Sequence, residues 1–592
     1  MNLSRYLQGF ALCAIVALTL GCNALDLTPK DKLTDKSYWS KVEDLELYAN
    51  GLYDFLPGPT AWGDNTSDNF IPSSPQDLLF DNLSVNNYSW GWGWNDVYRC
   101  NYMLERVDRV KGNPDEIHRF KAEGRFFRAL IYYSKIRRYG DVPWYDKSLT
   151  PADEEALMKP RDKWDVVLSH IIEDLQYAVD SLPQKSAVPS GRLHKDAAKA
   201  QLARVCLYYG TYMKYHKVSG TGAINSTALL EKAAELTKDI IASGRYEIVK
   251  GSDQGASQKP YDGYPLSYSN QFTQEDLTTN KENILARHFT MGLVTHEVGR
   301  GAGGNGTGLS KDFVESFLMK DGTPIHNEGS GYMGDEDQEH EFANRDPRIY
   351  QIIDNAHKPY LVTASGERSV NVVANVNNTE GVTGYPCVKF HSSDPKQAEA
   401  KSTSYDWFVY RYAEVLLIHA EAMAELGRCT QEVLDITINK LRDRVDMAHL
   451  STSPVADAKP LNYGYDLDPL LYEIRRERRI ELVAEDFRMD DIIRWNATQL
   501  LANPKTRLGI RITPTVEARY KAVSVTFGND GRPVASYDGN RYLNPYPGKD
   551  INDPARVWAK GDRRWFAPLP KDQLVLNPNL TQNPGWEGVS AK

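Results

Sequence analysis

The stretch FKAEGRFFRALIYYSKIRRYGDVPW, residues 120–144, decides the fold. Phe126, Ala129, Leu130, Tyr133 and Ile136 recur at helical spacing between Ile117 and Tyr139, and Gly140 with Pro143 ends the run. Working outward, Val166 to Leu182 repeats the pattern and stops at Pro183. Lys195 to Tyr215 is rich in Ala, Leu and Tyr, and Thr227 to Ser243 follows as its antiparallel partner, ending at Gly244. From there to about residue 400, Gly, Asn and Asp with short β-branched runs such as Ser369 to Val376 predict loops with small sheets. Helix returns at Tyr410 to Leu426, Thr430 to Val445, Leu467 to Val483 and Asp486 to Leu501, and the tail beyond Pro504 is loop-like. The repeating unit is a helix pair with small Ala contacts, as in tetratricopeptide arrays, where each pair needs neighbours to bury its apolar face. The expectation is a mainly α chain, with loop-rich blocks too long to be simple connectors and therefore functional surface.

The N-terminus carries one basic residue, Arg5, then the apolar run FALCAIVALTL from Phe10 to Leu20, then Gly21 and Cys22. The run suits the h-region of an export signal better than a membrane span. Small Gly21 before Cys22 fits lipoprotein processing, in which residues 1–21 are removed and the Cys22 thiol carries the acyl anchor, several chains holding where one would not; an ordinary secretory signal with Cys22 inside the mature chain is the alternative. No second long apolar segment follows, so no transmembrane helix is expected. The net charge of -9 becomes -10 once Arg5 leaves with the signal, which argues against a nucleic-acid partner. Cys100, Cys206, Cys387 and Cys429 form no CxxC motif and read as buried small apolar residues, with a disulfide permitted but not demanded.

There are 34 Tyr and 12 Trp, several on Gly- and Asn-rich loops, where flat rings suit the C–H faces of sugars. In SWGWGWND (Ser89 to Asp96), glycines between the indoles free the backbone, and Trp90 and Trp92 are the preferred ligand contacts. Trp94, Tyr98 and Asn101 fall at helical spacing and are expected to pack a helix start. In TAWGDNTSDNFIPSS (Thr60 to Ser74), Trp62 stands with Asp64, Asn65 and Asp68, whose carboxylates and amides can bind vicinal hydroxyls, against the alternative of an Asx-turn cluster. GRGAGGNGTG (Gly299 to Gly308) holds a formal GxGxxG but no βαβ context, so it reads as a binding-face loop rather than a nucleotide site. Glu473 to Glu481 reads as a helix-surface or inter-helix ion network. DEDQEHEF (Asp335 to Phe342) lacks the Gly of an EF-hand, and His296 with Glu297 lacks a second His; no metal or cofactor is expected. No motif nominates a pair of carboxylates for glycoside hydrolysis.

Several segments together resemble the SusD/RagB family of outer-membrane lipoproteins of Bacteroidetes. They are LDLTPKDKLTDKSYWSKVEDLELYANGLYDFL (Leu25 to Leu56), residues 120–144, FLMKDGTPI (Phe317 to Ile325), RDPR (Arg345 to Arg348), YRYAEVLLIHAEA (Tyr410 to Ala422), IRRERRIEL (Ile474 to Leu482) and NPNLTQNPGW (Asn577 to Trp586). They run in family order along essentially the whole chain. One departure is Asp486, where the family usually has Gly; Met489, Asp490 and Asp491 also differ from the usual run. The resemblance implies one SusD-like domain over 22–592, with parts of about 25–330 and 331–592 that are not independent. It implies tetratricopeptide-like helix pairs as scaffold and irregular segments as ligand face. It also implies a lipid-anchored protein at the cell exterior that captures a glycan and lids a SusC-like TonB-dependent transporter without catalysis. An aromatic near Trp90 and Trp92 commonly contacts sugar in the family. Peptide as ligand is the alternative, and a surface glycoside hydrolase the less favoured one.

Overall fold

The computed structural model describes residues 35–60, 62–85, 91–251, 266–302, 306–363, 365, 367–371, 373, 374, 376 and 381–587. Cys22 and Trp90 lie outside them. The principal helices are α1 (Val42–Asn50), α2 (Asn95–Leu104), α3 (Pro114–Tyr139), α4 (Trp164–Ser181), α5 (Lys195–His216), α6 (Ser226–Ala242), α7 (Tyr412–Glu425), α8 (Pro469–Glu481) and α9 (Arg488–Arg494). Helices α3 to α6 pack each against the next, and α7 continues the array on α6. The mainly α fold of paired helices predicted from periodicity is the fold observed.

Local chemistry sets the ends. The Asn113 side chain accepts from the Asp115 N–H, Pro114 occupies the first turn, and Gly140 at φ 68° stops α3 in a backbone conformation that glycine adopts without strain. Helices α5 and α6 approach closely because Gly210 has no Cβ; one would sit 2.9 Å from Leu230 Cγ. The helical spacing read from sequence names only part of the buried surface of α3: Phe120, Phe127, Tyr132 and Tyr139 are buried as well, and so are Glu123, Arg128 and Lys135. Each buried ring contributes roughly 1.5–3 kcal/mol. The charges are tolerated because they are partnered: Arg128 holds Asp174 through two hydrogen bonds of 2.7 and 2.8 Å, and Arg192 holds Glu123 likewise at 2.9 and 2.7 Å.

Eight short strands form four antiparallel pairs among the described residues: β1 (Phe70–Pro72) with β3 (Thr307–Leu309), β2 (Asn283–Arg287) with β6 (Trp407–Arg411), β4 (Leu361–Val362) with β5 (Arg368–Ser369), and β7 (Val534–Tyr537) with β8 (Asn540–Leu543). The β2–β6 register sets Ala286 opposite Phe408 and Arg287 opposite Trp407. Tyr410 and Arg411, predicted as helix, are therefore strand, and α7 begins only at Tyr412. The predicted helix Thr430 to Val445 is split into Gln431–Asp435 and Ile438–Asp443. The predicted helix from Asp486 shrinks to α9 because Asp486 and Asn496 bound it with φ of 65° and 53°. The largest apolar cluster draws side chains from Trp39 to Leu569, so both ends of the chain close one core.

The charge run on α8 is an inter-helix network, and it is buried rather than on a helix surface. Glu481 accepts from Arg411 (2.8 Å), Arg348 (3.2 Å) and Arg444, and Arg348 also pairs with Asp346 and Glu477. Arg475 reaches Glu425 at 2.9 Å, and Arg494 grips Glu421 through two hydrogen bonds. The segments RDPR, YRYAEVLLIHAEA and IRRERRIEL thus meet in a single ionic core. Near the C-terminus, Asn583 donates to Tyr139 O and Ala567 O, and the buried Trp586 indole to Arg563 O and Phe566 O. The motifs that carry the resemblance are structural joints. All four described cysteines are free; Cys100 and Cys206 are buried, and burial pushes the Cys206 thiol up to about 12. Among the described residues no helix is long and apolar enough to cross a membrane.

Candidate functional site

A cleft of about 790 Å³ opens where the 54–60 segment, the 91–94 turn and the start of α2 meet α3, α5, β6 and the turn before α9. Its aromatic faces come from Phe55, Phe408 and Phe487, all half-buried, with Trp407 buried behind them. The Arg204 guanidinium lies 5.0 Å from the Phe487 ring centroid and is fixed there by two hydrogen bonds to Glu414. Arg137 pairs with Asp490 at the cleft wall and lies 4.5 Å from the Tyr133 ring. Lys135 rises from α3 to bond Gly91 O (3.0 Å) and Gly93 O (2.6 Å), so the helix itself shapes the 91–93 turn. Burial pulls that ammonium down to about 8. Asp486 opens to solvent within the cleft and accepts no hydrogen bond among the described residues. The protein around it, together with the Asp64 carboxylate, pushes its carboxyl up to about 6.

The loops nominated from sequence border this cleft, but most nominated side chains do not face it. Trp92 is a correction: it is 4% exposed and packs edge-on against Tyr139 (4.9 Å) and Trp94 (5.5 Å), a core ring rather than a stacking platform. Asp68 is another. It is buried and receives Arg488 through two bonds of 2.7 Å, with Arg479 at 3.2 Å. Against the cost of burial, these two cations hold its carboxyl down to about 2. Asp64 is also buried, accepting from Asn69 (2.9 Å) and the Ala484 N–H (2.8 Å), and burial raises its carboxyl. A sugar hydroxyl would have to displace these partners. Asn65 is half-buried and accepts from Thr307 Oγ1 at 2.8 Å. Trp62 is half-buried with its ring laid on Gly301, where an added Cβ would come within 2.2 Å of Cζ2. That contact pins the 299–302 turn of the glycine-rich segment.

Asn101 is buried, donating to Tyr145 O and Lys147 O, as its helical spacing predicts. Tyr98, in contrast, is exposed. With Trp94, Tyr145, Leu157, Met158, Leu576 and an edge of the largely buried Trp92, it lines a second groove of about 540 Å³. In the DEDQEHEF segment, Asp335 pairs with Lys311 and Arg511, while Asp337 caps Gln338–Phe342 and pairs with Arg519, so cations of the chain already occupy these carboxylates. Asp276, His288 and Asp406 are close enough to hold a metal ion. His288 is satisfied as it stands, with Nδ1 on Asp406 (2.6 Å) and Nε2 on Ser190 Oγ (2.8 Å).

Sequence reasoning missed Phe55, Phe408, Phe487 and the Arg137–Asp490 pair. Phe408 lies two residues before the helix start read at Tyr410, and Phe487 between Asp486 and the other positions that depart from the family run.

Two family models match the chain. One, described as the SusD family, covers residues 252–586; the other, described as starch-binding associating with outer membrane, covers residues 31–207. The chain belongs to the SusD family. It is similar to SusD-like protein P2 of Formosa agariphila, 25% identical over 97% of this chain and 98% of the relative. A solved SusD-like carbohydrate-binding protein from Bacteroides fragilis superposes with a TM-score of 0.66 at 22% identity, covering 92% of this chain and 100% of that one. A solved laminarin-binding SusD-like protein does so with a TM-score of 0.53 at 17% identity, over 92% and 100%. Likeness at these identities carries the fold alone.

Proposed function

We propose that this chain is a non-enzymatic glycan-binding protein, lipid-anchored through Cys22 at the outer surface of the outer membrane. It holds oligosaccharide in the 790 Å³ cleft and lids a SusC-like TonB-dependent transporter for import. The observation that carries this reading is the cleft itself, with three half-buried phenylalanine faces among fixed polar groups. A sugar ring laid on Phe408 or Phe487 buries its C–H face, while Asp486, Asn95 and Ser134 are placed for its hydroxyls. Membership of the SusD family and the carbohydrate-binding relatives support the choice of ligand and the surface location. Trp90, outside the described residues, is retained from its sequence context as a further contact. Anchoring keeps the local concentration high, so an affinity on the order of micromolar to millimolar suffices.

A glycan-array screen of the purified chain, followed by calorimetry of the strongest hit and chromatography of the recovered sugar, tests this. The expected result is saturable binding of one oligosaccharide class, recovered uncut. Binding of peptide pools with no glycan bound would favour the peptide reading. Release of shorter sugars would favour the hydrolase reading.

A further inference from the structure

The charges of the cleft wall divide unequally. Every lining arginine is committed to a carboxylate: Arg137 to Asp490, Arg204 to Glu414, Arg411 to Glu485, Arg478 to Asp491 and Arg494 to Glu421 and Asp491. The one lysine, Lys135, spends its ammonium on the carbonyls of the 91–93 turn and lies over the Trp94 ring at 4.4 Å. Asp406, the remaining partnered acid, is taken by His288 and two backbone N–H groups. Three lining carboxylates form no ion pair and no hydrogen bond among the described residues: Asp54, Asp96 and Asp486. Among the described residues the lining carboxylates outnumber the lining cations, which are already engaged, and unpaired negative charge faces the space an acidic ligand would fill.

Asp486 is the centre of this imbalance. Its φ of 65° belongs to the left-handed region that glycine favours and Asp tolerates, and it directs the side chain into the cleft. Gly63 makes room behind it, since a Cβ there would fall 2.6 Å from Asp486 Cβ. We propose that the cleft selects neutral or cationic chains and turns away polyanions, with Asp486 as the residue that sets this preference. Uronate or sulfate groups beside an unpaired carboxylate are repelled, whereas hydroxyls and ammonium groups are accepted.

This deepens the glycan reading and rests on it, so the test separates the two. The purified full-length chain in detergent is titrated calorimetrically with cellohexaose, xylohexaose, maltohexaose, a chitosan hexamer and an oligogalacturonate hexamer. A Lys-rich and a Glu-rich hexapeptide complete the set. The oligogalacturonate should bind at least tenfold more weakly than the best neutral or cationic hexamer, and Asp486→Asn should narrow that gap at least threefold. Asp486→Gly, which suits the backbone, should do the same and guards against misfolding. If the oligogalacturonate binds as tightly as the others, the charge rule is overturned while the glycan reading stands. If no sugar binds but the Lys-rich peptide outcompetes the Glu-rich one, the glycan reading falls and the charge rule survives. Equal binding of both peptides with no sugar bound overturns both.

Discussion

Replacing Glu481 with Ala is expected to cost about 3–5 kcal/mol of stability, because removing one partner of a buried ion network strands the others. Glu481 is completely buried, and its two oxygens receive Arg348, Arg411 and Arg444 from three separate segments. Burial alone would raise its carboxyl, but the three guanidinium groups outweigh it and hold the group well below the usual range. Glu282, Glu477 and Glu485 still neutralise part of the charge in the variant, which keeps the cost from growing further. Urea-unfolding midpoints of wild type and variant measure the effect, and a change below about 1 kcal/mol would contradict a structural role. The same depression gives a sign for pH. The contribution is complete above the unfolded Glu value of about 4.3 and is lost as pH falls through the lower folded value, so the difference between wild type and variant shrinks in acid.

The second large effect separates binding from folding. Phe408→Ala with Phe487→Ala should reduce glycan affinity on the order of a hundredfold, about 1.4 kcal/mol for each face removed, while the melting temperature falls less than in Trp92→Ala. Both rings are half-buried and rest on the edge of the core, so truncation removes a cleft face at a smaller stability cost than the loss of a fully buried ring. Trp92→Ala should do the opposite, costing about 3–5 kcal/mol of stability as a cavity beneath Tyr139 and Trp94, with affinity unchanged in the molecules that stay folded. Calorimetry paired with thermal melting on the three proteins checks both halves. Loss of binding in a folded Trp92 variant would move the site to the Trp94–Tyr98 groove.

The contrast between these residues shows what sequence can carry. Helix existence and the end of α3 were legible because they depend on local signals such as Gly140 after Tyr139, whereas its start, read at Ile117, lies at Pro114 behind the Asn113 cap. The misread ends depend on distant partners. Tyr410 and Arg411 join a strand because Asn283–Arg287 lies alongside, a pairing no local period announces. The site was less legible for the same reason. Asp64 and Asp68 look like sugar-binding acids in their own loop, yet their partners, Ala484 and Arg488, are each 420 residues away. Gly spacing around Trp92 suggested exposure, but the turn is drawn down by Lys135 and the indole goes inward. The readable clue was Asp486, a residue out of keeping with its resemblance, and it opens into the cleft.

The most direct measurement is a crystal structure of the chain with the oligosaccharide that binds best on the array. The account predicts an uncut chain in the cleft, a sugar ring against Phe408 or Phe487 and a hydroxyl on Asp486. A sugar seated only on Trp94, Tyr98 and Tyr145, or cleaved fragments in the cleft, would contradict it.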